Sequence, residues 1–182
     1  AWHCYAGEPS AMSQVHEARP DKGIYFTECS GGRWSTSFRQ NLRWNFSNLI
    51  IGATRNWART VLLWNLALDP SAGPTNGGCL NCRGVITIDP ETGRIERNVE
   101  YYVLGHASKF VRPGAVRIGS DTYPGRLESV AFQNPDGSIA LIVLNGLDRA
   151  QTFVLRFGDR GLAYRLPAGS VVTLVWAAED PV

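Results

Sequence analysis

Glu28 closes an apolar run, Gly23 to Cys29 (GIYFTEC), that reads as a short β-strand. Residues two apart on a strand share a face, so Ile24, Phe26 and Glu28 are expected on one side. If that strand belongs to a (β/α) barrel, Ile24 and Phe26 fill interior layers and Glu28 surfaces at the carboxyl-terminal end, where such barrels keep their active sites. A carboxylate so placed is suited to acid, base or nucleophilic work; the competing use is a helix cap or an ion-pair partner. His3 and Tyr5, two apart, share a face if extended, and Trp64 stands at the end of a second apolar run, Arg59 to Asn65 (RTVLLWN). A sugar site needs flat apolar faces flanked by hydrogen-bonding groups, although aromatic residues at strand ends also serve plain packing. Glu8 and Glu17 fall in loop or helix-like sequence and Asp69 opens a linker, so Glu28 has no second carboxylate at a strand end before residue 70.

The elements that must position these groups can be read from periodicity. Between the two apolar runs, Leu42, Phe46, Leu49 and Ile50 recur at helical spacing within a helix-like stretch from about Ser37 to Trp57. The run at 59–65 is apolar on both parities, as a parallel strand covered on both faces must be. Strand, helix, strand points to α/β architecture. The texture changes at Asp69-Pro70-Ser71-Ala72-Gly73-Pro74, and the domain boundary is set there, dividing 1–72 from 73–182. Beyond it come a strand at Val85 to Asp89, a helix from Asn98 to Phe110, and strands near Val116, Leu127 to Gln133, Ile139 to Asn145, Thr152 to Phe157, Leu162 to Leu166 and Ser170 to Trp176. Asn134-Pro135-Asp136-Gly137 is a strong hairpin turn, with Pro fixing φ and Gly supplying the left-handed position. This spacing of short strands fits an antiparallel β-sandwich of roughly 100 residues.

Composition removes several classes of partner. With 44% hydrophobic and 19% charged residues the chain is of ordinary globular type, not disordered or fibrous. A formal net charge of +2, with no run of Lys or Arg longer than two, provides no basic field for nucleic acid. Apolar stretches such as Ile139 to Leu144 fall far short of the roughly 20 residues of a transmembrane helix. The opening Ala-Trp-His-Cys-Tyr lacks the basic and apolar regions of a signal peptide, so the chain is expected to begin after processing or within a longer protein. Cys79 and Cys82 form one CxxC with no second pair or close His pair, which disfavours zinc. They are read as a loop disulfide in an exported protein, ahead of two free thiols, and Cys4 and Cys29 as small buried hydrophobes. No metal or cofactor site is expected.

A series of motifs in fixed order is more specific than any of these patterns. His3-Cys4-Tyr5, Tyr25-Phe26-Thr27-Glu28-Cys29-Ser30, Trp64-Asn65-Leu66-Ala67-Leu68-Asp69, Gly73-Pro74, Tyr101-Tyr102-Val103-Leu104-Gly105-His106-Ala107-Ser108-Lys109-Phe110 and Arg112-Pro113-Gly114 follow one another along the chain. In that order they resemble glycoside hydrolase family 30, most closely its glucosylceramidase-like members. The resemblance continues through Ala131-Phe132, Pro135-Asp136-Gly137-Ser138 and Val143-Leu144-Asn145.

The resemblance implies the last strands and helices of a (β/α)8 TIM barrel followed by an antiparallel β-sandwich, secretion, and retaining hydrolysis of a β-linked glucoside, glucan or glycolipid. Glu28 matches the family's nucleophile, His3 and Tyr5 the His-x-Tyr beside it, Trp64 a sugar-contacting tryptophan, and Trp34 a further aromatic of the cleft. A retaining enzyme needs a second carboxyl group about 5 to 5.5 Å from the nucleophile, to protonate the leaving oxygen. The family's acid/base glutamate has no counterpart here, and a complete barrel takes about 250 residues, so the missing amino-terminal half of the barrel is an implied partner. Leu62-Leu63 stands where some members carry polar sugar contacts. The competing reading, from a different class, is a non-catalytic carbohydrate-binding or structural sandwich module with a barrel remnant. A lipid-surface role has no amphipathic basic helix to support it.

Overall fold

The computed structural model describes residues 1–177. The chain packs as two compact units, Ala1–Gly105 and His106–Val182.

The first unit is built on a three-stranded parallel sheet in the order β1 (Trp2–His3), β2 (Ile24–Glu28), β4 (Ala58–Val61). Parallel neighbours need a crossover, and helices supply both. Helix α1 (Ala11–Ala18) joins β1 to β2. Helix α2 (Phe38–Asn45) starts at Ser37, whose hydroxyl accepts the Gln40 N–H, and runs on as π-helical turns over Phe46–Ala53 before β4. The helix-like stretch expected over about 37–57 is thus an α-helix followed by π-helical turns. The wider turns bring Phe46, Leu49, Ile50, Ile51 and Ala53 all into the interior. Gly52 permits this local path, since a Cβ there would meet the Ser47 carbonyl oxygen and come within 3.2 Å of the Pro9 ring. Met12, Leu49 and Ala53 close over Ile24, Phe26, Cys29 and Ala58 to form the core.

The rest of the unit includes the strand expected near 85–89 and the helix expected at 98–110, together with short strands that sequence periodicity passed over. β3 (Gly31–Gly32) pairs antiparallel with β6 (Cys82–Arg83). β5 (Ala67–Leu68) pairs parallel with β7 (Ile86–Ile88), which pairs antiparallel with β8 (Ile95–Arg97). These pairings tie 82–97 back to residues 31–68, so the first unit continues well past the change of texture at 69–74. Helix α3 (Val99–Ser108) follows.

The second unit has a four-stranded antiparallel sheet, β14 (Val171–Trp176), β11 (Ile139–Asn145), β10 (Leu127–Gln133), β9 (Val116–Ile118), and a hairpin of β12 (Gln151–Phe157) with β13 (Arg160–Leu166). All seven residues of β11 are buried, which explains why its sequence shows no polar alternation. The turn after β10 forms as read, with Gly137 at φ 80° and its N–H donated to the Asn134 carbonyl. Phe153, Leu155 and Tyr164 of the hairpin pack onto the cluster of Ala131, Leu141, Val143 and Leu166. Asn145, with no exposed surface, donates to the carbonyls of Arg149, Leu166 and Pro167 and accepts from the Leu147 N–H, so one side chain satisfies several buried loop groups.

Candidate active site

Strand irregularity aims Glu28. Trp2 pairs with Phe26 and His3 with Glu28, so two residues of β2 oppose one step of β1 and Thr27 is the extra residue. A bulge of this kind breaks side-chain alternation. Ile24, Phe26 and then Cys29 enter the core beneath the helices, while Glu28 is only half-buried. Ile24 and Phe26 pack against Met12, Leu49 and Ala53, and the bulge takes Glu28 out of the simple alternation that parity assumes.

At the carboxyl-terminal end of this sheet the Tyr5 hydroxyl donates to Glu28 Oε1 at 2.6 Å and lies 3.4 Å from Ser30 Oγ. Burial first, then the hydrogen bond to the Glu28 carboxylate, raises the Tyr5 hydroxyl above the ordinary tyrosine pKa and keeps it a donor. The His3 ring meets the Tyr5 ring edge-on at 5.7 Å. Past the end of β4, Leu62 N–H donates to the Phe26 carbonyl and Trp64 N–H to the Cys29 carbonyl, and Trp64 bridges to Ser30. The half-exposed Trp64 indole therefore stands on the strand next to Glu28.

A cavity of about 490 Å³ opens beside Tyr5, lined by Tyr5, Ser30, Trp34, Gln40, Trp44 and Glu100 among others. Of the five residues singled out in the sequence, Tyr5 and Trp34 line it, whereas Glu28, His3 and Trp64 do not. The Trp34 ring lies over Gly32, where a Cβ would collide with it.

Three features of the site were absent from the sequence reading. One is Ser30, beside Tyr5. The second is a disulfide between Cys4 and Cys29, which corrects their reading as buried hydrophobes; Cys79 and Cys82 form the loop disulfide expected. The signal available was that Cys4 adjoins Tyr5 and Cys29 adjoins Glu28, on strands that turn out to be neighbours. The third is a buried ion pair. Arg83 holds both carboxylate oxygens of Glu100, at 2.7 and 3.1 Å, and donates further to the Ser35 and Gly32 carbonyls. It thereby fixes the loop that carries Trp34. No group of three or more His, Cys, Asp or Glu side chains able to hold a metal occurs among the described residues.

Residues 114–174 match the glycosyl hydrolase family 30 beta sandwich domain. The chain belongs to glycoside hydrolase family 30. It is 37% identical to an endo-1,6-beta-D-glucanase of Neurospora crassa over 98% of this chain and 39% of that protein. It is 34% identical to the endo-1,6-beta-D-glucanase neg1 of Aspergillus fumigatus over 96% of this chain and 36% of that protein. Lysosomal acid glucosylceramidase of Mus musculus is 28% identical over 92% of the chain and 34% of its own length. Among solved structures, the endo-beta1,6-glucanase BT3312 superposes with a TM-score of 0.90 at 34% identity, covering 97% of this chain and 40% of that one. The chain thus spans little more than a third of the curated relatives it matches.

Proposed function

We propose that this chain is the nucleophile-bearing part of a retaining β-glycosidase acting on a β-linked glucan. In this reading residues 1–72 are the closing strands and helices of a (β/α)8 barrel, residues 73–182 contain the linker, a helix and the sandwich, and the acid/base carboxyl group comes from sequence outside this chain. The observation that carries it is the Tyr5 hydroxyl 2.6 Å from Glu28 Oε1, at the carboxyl-terminal end of a parallel sheet. Glu28 attacks the anomeric carbon as the glycosidic C–O bond breaks, and the leaving oxygen takes its proton from the acid/base carboxyl group. Water, deprotonated by that same group, later opens the glycosyl ester. The hydrogen bond from Tyr5 orients the carboxylate, His3 braces the Tyr5 ring, and Trp64 and Trp34 offer stacking faces to the sugar. Glucan is favoured over glycolipid because the endo-1,6-beta-D-glucanases share 34 to 37% identity with this chain, against 28% for the mouse glucosylceramidase. Two disulfides support an exported, oxidising location. No helix among the described residues is long and apolar enough to cross a membrane.

The test is mechanism-based labelling of the native protein isolated from its source with an activated 2-fluoro-β-glucoside, whose leaving group needs no acid. A glycosyl label mapped to Glu28 and lost in Glu28→Gln is expected. A label on another carboxylate, or none, overturns the assignment and favours the binding-module reading.

A further inference from the structure

We propose that the Cys4–Cys29 disulfide is a positioning element that holds the Tyr5 hydroxyl on Glu28. Its catalytic meaning rests on the nucleophile reading above, but the geometry stands on other observations.

Only two residues of β1 pair with β2, and the second pair, His3 with Glu28, is already displaced by the bulge. Tyr5 lies beyond that ladder, in a bend, with 60% of its surface exposed. A largely exposed side chain past the end of a strand is held by few contacts. What reaches this segment is covalent: Cys4 is flanked by His3 and Tyr5, Cys29 by Glu28 and Ser30, and the two sulfurs are bonded with Cα atoms 5.3 Å apart. The bond therefore joins the donor of the Tyr5–Glu28 hydrogen bond to its acceptor through one neighbour on each side. Cys29 is itself anchored, 2% exposed in the core with Phe26 and Leu49, and its carbonyl is held by the Trp64 N–H. The anchored strand end thus holds the segment that carries Tyr5. Beyond Glu28, Tyr5 meets Ser30 Oγ at 3.4 Å and the edge-on His3 ring, both weaker restraints than a covalent bond.

The two disulfides differ in this respect. Cys79 and Cys82 are three residues apart and close a tight local loop, whereas Cys4 and Cys29 are separated by 25 residues and tie two strands at the site.

The experiment reads Tyr5 directly and needs no turnover. The protein is labelled with [13Cζ]tyrosine, and the resonance of Tyr5 among the six tyrosines is assigned by its loss in Tyr5→Phe. Titration follows its ionisation in the oxidised protein, in Cys4→Ala/Cys29→Ala, and in Cys79→Ser/Cys82→Ser. The titratable groups facing it are Glu28 and the His3 ring. In the oxidised protein Tyr5 is expected to ionise above the ordinary value of about 10. In Cys4→Ala/Cys29→Ala it is expected to fall back towards that value and its resonance to broaden, with far-UV circular dichroism unchanged, whereas Cys79→Ser/Cys82→Ser behaves as the parent. Mild reduction followed by reoxidation of the parent should remove and restore the shift. An unchanged Tyr5 titration overturns the proposal. So does loss of the far-UV signal together with the shift, both in the variant and on reduction, which assigns the disulfide to general stability. The labelling of Glu28 is measured separately, so failure of the nucleophile assignment and failure of the clamp are distinct results.

Discussion

Replacing Glu100 by Ala tests whether the floor beneath the Trp34 loop is held by charge. The Glu100 side chain is 2% exposed and that of Arg83 19%, and Arg83 grips the carboxylate through two nitrogens. Removing one member of a buried pair typically costs about 3 to 5 kcal/mol, because the remaining charge stays desolvated. Arg83 keeps the Ser35 carbonyl at 3.2 Å and the Gly32 carbonyl at 3.5 Å, and part of its side chain reaches solvent, so the lower end of that range applies. A loss of about 3 kcal/mol lowers the thermal midpoint by roughly 6 to 12 °C for a protein of this size. Five of the six tryptophans, Trp2, Trp34, Trp44, Trp57 and Trp64, lie in the first unit, so tryptophan fluorescence during urea unfolding reports on the unit that contains the pair. The double replacement Arg83→Met/Glu100→Leu should recover most of the loss, since it removes both charges and keeps volume. A loss below about 1 kcal/mol for Glu100→Ala, the behaviour of an exposed pair, would refute the reasoning.

Three further outcomes are expected. Gly31→Ala places a methyl group on the Glu100 carboxylate, which is pinned by Arg83 and cannot withdraw, so a loss of about 1 to 3 kcal/mol is expected by urea unfolding; a neutral result would show that the carboxylate moves. Asn145→Ala strips the partner from three carbonyls and one N–H in the second unit, and at about 1 to 3 kcal/mol for each buried group left unsatisfied it should markedly accelerate amide exchange in β11 and β14; unchanged exchange would contradict it. His106 has its pKa lowered by burial, so between its folded value and the ordinary value of about 6.5 the unfolded chain binds more protons. Its contribution to stability is accordingly whole above pH 6.5 and is lost as pH falls below it, which a flattened pH dependence of the urea midpoint in His106→Gln would demonstrate.

Long elements of this protein were legible because their patterns are local. The strands at 24–28, 127–133 and 139–145 carry apolar runs long enough to be seen, and the turn at 134–137 carries its own Pro and Gly chemistry. The two-residue strands at 31–32, 67–68 and 82–83 have no period to read, and they exist only because a neighbour supplies the other half of each hydrogen bond. The same limit applies to the helix at 38–53, whose apolar spacing does not distinguish α from π turns and whose π-helical part buries Ile51 and Ala53.

The candidate site divides along the same line. Glu28, Tyr5, His3, Trp34 and Trp64 were nameable from residue type, strand-end position and ordered motifs. Their geometry was not, since the register shift at Thr27 breaks the alternation before Glu28, and Ile24 and Phe26 pack beneath the helices. Parity counts residues, but a bulge is decided by how two strands meet. The Cys4–Cys29 bond and the Arg83–Glu100 pair join residues 25 and 17 positions apart, and neither pairing has a local signature. Residue chemistry by itself determined what the carboxylate, the phenol and the indoles are able to do; tertiary contact decided which of them meet, because distance, orientation and burial depend on strands brought together from separate parts of the chain.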